Sequence, residues 1–253
     1  MPEHEIAQNG RAKAPGYPTA PIVEAVFAIQ PSEPFQNAEV KTAADLLVGY
    51  YPKQTEMPFA EFSYDAEAAT IDVNPARQTY RLESEDTSEL ALVRPEGLYV
   101  SQLAPYRSWD DLFDRLKRDF AAVAPVFFGK TIGRIACRYI NRIDVPFEGN
   151  IARNEDYLAV YIHLPKSIKA TGPFQLRFEL PIPEIGSLAV IQSGVALPAN
   201  DGYASFTLDI DLIKKFDECL DFDKIFEAFS NFRVQKNLLY RQFLTPKALE
   251  QFQ

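Results

Sequence analysis

Three arginines spaced four residues apart, Arg134, Arg138 and Arg142, stand in the stretch IGRIACRYINRIDV at residues 132–145. Side chains alternate along a β-strand, so this even spacing puts all three on one face, together with Ala136, Ile140 and Asp144. A guanidinium is a planar fork of N–H donors that suits carboxylate and phosphate oxygens. Such a row can therefore be an anion site, an ion-pair ladder or a solvated surface. Counter-charges for a ladder exist in YASFTLDIDLI, where Asp209 and Asp211 share a face, and in FQLRFEL, where Gln175, Arg177 and Glu179 do. Opposite charges facing each other across strands stabilise a sheet by roughly 0.2–1 kcal/mol per pair. For an anion site, Arg134, Arg138 and Arg142 are the candidate ligand-binding residues. Tyr106 and Arg107 join them from APYRSWDDL, a strand-to-helix corner where free N–H groups favour anions. Asp209-x-Asp211 also reads as a metal pair, although a dedicated Mg²⁺ site recruits further oxygen ligands.

Catalytic chemistry finds less support. His4 and His163 are the two histidines, and neither has a nucleophile or second ligand placed beside it by spacing. No nucleophile elbow, phosphate loop, dinucleotide fingerprint or zinc-protease motif occurs, and no cofactor is implied. Cys137 and Cys219 stand far apart in apolar surroundings, as two buried reduced thiols would. On the second face of 132–145, Ile135, Cys137, Tyr139, Ile143 and Val145 are core-like, and Asn141 interrupts them. A buried amide needs hydrogen-bond partners, so Asn141 is expected to tie down a neighbouring strand or loop. Asn141 and Asp144 are thus read as structural polar residues.

These residues need elements to hold them. PIVEAVFAIQP reads as a strand with Ile22, Glu24, Val26 and Ala28 on one side, and NAEVKTAADLLVGYYP as a helix closed by Pro52. QTYRLES gives a strand, and SELALVRPEGLYVSQL a hairpin turning at Pro95-Glu96-Gly97. In SWDDLFDRLKRDFAAVAPVF, Ser108 and Asp111 resemble a capping box, and Trp109, Leu112, Phe113, Leu116, Phe120 and Val123 share a helical face. The second half has the long strand, a short helix around 156–161, and strands in PFQLRFELPI, SLAVIQSGVAL and YASFTLDIDLI. A final helix in DFDKIFEAFSNFRVQKNLLYRQF carries Phe222, Ile225, Phe226, Phe229, Phe232 and Lys236 near one stripe. The expected class is α+β: two similar β-rich units, mainly antiparallel sheet with amphipathic helices packed on one face. The expected divisions are a flexible arm at 1–16, a first unit at 17–129 and a second at 130–253, ending in a long helix.

The chain has 253 residues, 47% hydrophobic and 24% charged, enough to bury a large core. Its net charge of −9 argues against a broad nucleic-acid surface, which rests on clustered Lys and Arg. No apolar run approaches the roughly 20 residues that span a bilayer, and the N-terminus lacks the apolar core of a signal peptide. A cytoplasmic protein with no membrane contact is expected.

YPTAPIVEAVFAI (17–29), LYVSQLAPYRSWDDL (98–112), RYINRIDVP (138–146), TLDID (207–211) and NLLYRQFLTPKALEQF (237–252) resemble one sporadically distributed bacterial family of uncharacterised proteins. That resemblance implies no activity, cofactor or site residue. Sporadic distribution is what genes of mobile or phage-defence loci show. The expected function is a non-enzymatic bacterial interaction or regulatory protein, such as an accessory component of a defence or toxin–antitoxin-like locus, with another protein or a second copy of itself as partner. The alternatives are a binding module for a small anionic ligand on the arginine strand, and a metal-dependent hydrolase using Asp209 and Asp211.

Overall fold

The computed structural model describes residues 20–59, 62–65, 70–73, 77–149, 151–165, 167, 173–198 and 200–252. The expected arm at 1–16, with His4, lies outside the described residues. Strand β1 (Ile22–Pro31) leads into helix α1 (Asn37–Leu47) and strands β2 (Lys53–Phe59), β3 (Phe62–Asp65), β4 (Thr70–Val73), β5 (Arg77–Glu83), β6 (Glu89–Arg94) and β7 (Gly97–Leu103). Helix α2 (Trp109–Phe127) follows. The second half runs through β8 (Ile132–Glu148), β9 (Ile151–Ala152), β10 (Gln175–Ile182), β11 (Ser187–Ala196), β12 (Tyr203–Cys219), α3 (Phe222–Phe243) and α4 (Pro246–Glu250).

One antiparallel sheet dominates, in the order β10-β11-β12-β8-β1-β7-β6-β5-β2, with β9 paired to the end of β8 and β3 paired to β4 in a hairpin of its own. The fold is α+β, as expected. The halves meet at the β1–β8 pair, and each half lays its first strand at the centre and its later ones outward in reverse order. Period-two alternation explains the layering. Phe27, Ile29, Cys137, Tyr139, Phe206, Leu208 and Ile210 bury one face of the sheet in a core shared with Val40 and Leu47 of α1, Leu112, Leu116 and Phe120 of α2, and Ile225, Phe229 and Phe232 of α3. Both cysteines are buried free thiols.

Local chemistry fixes the ends of these elements. Ser108 Oγ accepts the Asp111 N–H at 3.0 Å and donates to the Asp111 carboxylate at 2.7 Å, so the Asp111 side chain turns to the Ser108 hydroxyl instead of the cap backbone. Asp221 caps α3 by accepting from Asp223 and Lys224 N–H. Gly97 ends the β6–β7 turn at φ +137°, where a Cβ would stand 2.3 Å from the Ile29 carbonyl oxygen. A bulge between Ile22 and Glu24 reverses the side of Ile22, which packs against the core while Glu24, Val26 and Ala28 keep the outer face. The helix expected at 156–161 does not form, because Asn154–Asp156 makes a single 3₁₀ turn. Strand β2, rich in polar residues, was not anticipated, and β12 continues past Ile213 to Cys219.

Candidate functional site

The sheet's second face carries the arginine row. Arg138 lies opposite Asp211 in register, yet its guanidinium leans one step along β12 to Asp209. Its Nε donates to both Asp209 oxygens, at 3.0 and 3.1 Å, and its Nη2 donates to Oδ2 at 2.6 Å. Gln192 of β11 adds a donor to Oδ2 at 3.3 Å. Asp209 is only 5% exposed, and its carboxylate strengthens Arg138's hold on its proton. Arg134 donates to Gln30 Oε1 at 2.6 Å and stands 3.9 Å from Asp211. Gln30 continues the chain to the Tyr99 hydroxyl, and Arg94 lies 4.0 Å over the Tyr99 ring. Side chains of five neighbouring strands, from β6 to β12, are thereby linked across the open face. Burial raises the Asp211 carboxyl to about 6, against the opposing pull of Arg134 and Arg138, and its Oδ1 is buried without a hydrogen-bond partner. Among the described residues no cluster of three or more His, Cys, Asp or Glu is placed to hold a metal ion. A cation at Asp209 would have to displace Arg138.

Arg142 differs from the other two. It lines a cleft of about 500 Å³ where β1, β8, the β11–β12 turn and the chain's last described residues converge. Asp144 lies beside it, with 3.4 Å between Arg142 Nε and Asp144 Oδ1, and Ser205 donates to that same oxygen at 2.5 Å. Arg142 Nε is buried without a hydrogen bond, while the side chain as a whole is 40% exposed. The backbone is firm beneath it, since Arg142 N–H donates to the Pro21 carbonyl at 2.8 Å. Asn200, Tyr203 and Gln251 add neutral polar groups to the lining. Among the described residues, the guanidinium fork of Arg142 is thus the one in the row that faces a concavity with its terminal donors uncommitted.

The structure separates the corner residues from this row. Tyr106 exchanges a 2.9 Å hydroxyl–hydroxyl hydrogen bond with Tyr139, on the helix-bearing face, where burial pushes the Tyr106 phenol up. Arg107 donates to Gln102 Oε1 at 3.2 Å and pairs with Glu89. Tyr106 and Arg107 therefore do not join Arg134, Arg138 and Arg142 in one anion site, because the strand-to-helix corner carries them to the opposite layer. Asn141 is 1% exposed and donates to the Leu208 carbonyl at 2.9 Å, tying β8 to β12. Trp109 anchors α2 against Phe27, 4.7 Å away, and stacks with Tyr139. His163 sits exposed in a loop.

Several charged groups escaped sequence reasoning. Asp119 of α2 is fully buried, accepts from Tyr51 at 2.5 Å and from Arg118 at 2.6 and 2.8 Å, and is raised chiefly by burial. Arg115, 6% exposed, donates to the Ser101 carbonyl at 2.7 Å and stands 3.4 Å from Glu89. Lys236 projects from the apolar stripe of α3 over the Tyr139 ring, 4.2 Å away, and burial lowers its amine to about 8. Its place in that stripe was the only available signal. No helix of the described residues is long and apolar enough to cross a membrane. No protein-family model matches the chain, and no curated protein matches it.

Proposed function

We propose that the protein is a non-enzymatic interaction or regulatory component of a bacterial defence or toxin–antitoxin-like locus, and that it receives an anionic group of its ligand or partner in the Arg142 cleft. One observation carries the choice of the receiving site. Of the three arginines on β8, two are held by neighbours on the sheet, while Arg142 opens on a cleft of ligand size. Groups that catalysis would need are engaged in the scaffold instead: Asp209 by Arg138, Asp119 by Tyr51 and Arg118. The surroundings favour a macromolecular partner. Phe147 N–H bonds the Gly202 carbonyl, which joins two hairpin tips bearing Leu197, 89% exposed, Ile151, 60% exposed, and Phe147 itself. Exposed apolar groups gathered near a polar cleft are a recurrent feature of interaction surfaces.

The test is capture from the native host by tagged wild-type protein and by an Arg142→Gln variant, followed by reciprocal capture with each candidate. A stoichiometric partner held by the wild type and lost from the variant is the expected result. Recovery of the protein alone, or equal capture by both forms, overturns the reading.

A further inference from the structure

Among the described residues two charged side chains line the cleft, Arg142 and Asp144, and their charges sum to zero. Among the described residues each is only partly satisfied: no acceptor there takes a hydrogen bond from the Arg142 terminal amino groups, and Asp144 uses Oδ1 for Ser205 while its Oδ2 accepts from none. The two point charges are too far apart for a good hydrogen bond, at 3.4 Å from an Nε without one, so the pair is open where Arg138–Asp209 is closed. A phosphate dianion on Arg142 would face the neighbouring carboxylate, and like charges in so small a space oppose each other. A simple cation on Asp144 would meet the guanidinium in the same way. A ligand with both charges a few ångströms apart matches the site charge for charge.

We propose that the cleft binds a free amino acid as a zwitterion, with its carboxylate on the Arg142 guanidinium and its ammonium on Asp144. This rests on the reading of the cleft as the receiving site. Guanidinium forks take carboxylates in two parallel hydrogen bonds, and three ammonium donors suit the spare Asp144 oxygen and the nearby amides of Asn200 and Gln251. Ile22, Val23 and Phe252 form an apolar wall, which fits an aliphatic side chain better than a polar one. A volume of about 500 Å³ accommodates one such amino acid.

Isothermal titration of the full chain with L-leucine, N-acetyl-L-leucine, L-leucinamide and inorganic phosphate tests the assignment. L-leucine is expected to saturate the protein. Each capped form, lacking one charge-assisted interaction, binds at least about tenfold more weakly. Arg142→Gln abolishes L-leucine binding, and Asp144→Asn levels L-leucine with N-acetyl-L-leucine. The proposal is overturned by phosphate or N-acetyl-L-leucine binding the wild type as tightly as L-leucine does, or by no saturation with L-leucine at all. If L-leucine fails while partner capture still depends on Arg142, the ligand assignment alone falls. If capture is also indifferent to Arg142, the functional reading falls with it.

Discussion

Replacing Arg138 by Met keeps the aliphatic stem and removes the guanidinium, which leaves Asp209 with one 3.3 Å donor from Gln192 in place of four hydrogen bonds. The magnitude turns on the asymmetry of the pair. Arg138's side chain is 42% exposed, which alone would suggest a surface ion pair contributing about 0–1 kcal/mol. Asp209's side chain is 8% exposed, so the orphaned carboxylate stays in a poorly solvated place. Breaking a buried pair costs about 3–5 kcal/mol, and water reaching the vacated site lowers this to about 2–4 kcal/mol. For a chain of this size that is a fall in melting temperature of roughly 5–15 °C. Urea unfolding followed by circular dichroism, with the m-value checked for constancy, measures it. The double variant Arg138→Met/Asp209→Leu removes both charges and should recover to within about 1 kcal/mol of the wild type. A single variant within about 0.5 kcal/mol of the wild type would refute the reasoning, as would a double variant no better than the single one.

Asp211→Asn should stabilise the protein by about 1–3 kcal/mol at pH 7.5 and leave it unchanged at pH 4. The folded carboxyl titrates at about 6 against 3.8 in the unfolded chain, so its contribution is complete below pH 3.8 and is lost as pH rises through 6. Urea melts at the two pH values check this, and an equal difference at both would count against it. Lys236→Met should stabilise by about 1–3 kcal/mol at pH 7, because the folded state holds an ammonium in an aromatic layer. In the wild type, folded Lys236 sheds its proton near 8 while the unfolded chain keeps it to 10.5, so stability rises with pH across that window. The variant should lack that rise between pH 7 and 9.5 in thermal melts. Phe229→Ala should cost about 3–5 kcal/mol, since the ring is fully buried against Phe27, 5.3 Å away, and Phe232, 5.9 Å away. A urea-melt loss under about 1.5 kcal/mol would mean that the helix layer is not packed as described.

The layering was legible because a period of two is written into single strands. The alternation in residues 132–145 and 204–212 names the buried and open faces before any partner strand is known. The alternation within one strand does not name the strands that pair with it or their register. Asp209 and Asp211 could therefore be seen as counter-charges, but not that Arg138 would lean to Asp209 and leave Asp211 half satisfied. The cleft is built by segments far apart in the chain, from Pro21 to Phe252, so Arg142 could be listed with its neighbours in the row but not distinguished from them. Arg115 and Asp119 lie just beside the apolar stripe of α2, and only the docking of α1 and Tyr51 decides that they are buried. Strand β2 escaped because KQTEMPF is polar and contains Pro58, as suits its place at the end of the strand order among the described residues. Glu155 and Asp156 look like the acidic first turn of a helix, but the chain makes only a 3₁₀ turn at Asn154–Asp156, and Leu158 forms a bridge with Leu244 instead.

Guanidinium NMR on ¹⁵N-arginine-labelled protein tests the central claim, that the row is closed at Arg138 and open at Arg142. Arg138 should show slow rotation about its Cζ–N bonds and separate Nη signals that L-leucine leaves in place. Arg142 should show averaged Nη signals that shift and sharpen on titration. Equal mobility of the two groups, or a response at Arg138 with none at Arg142, would contradict the account.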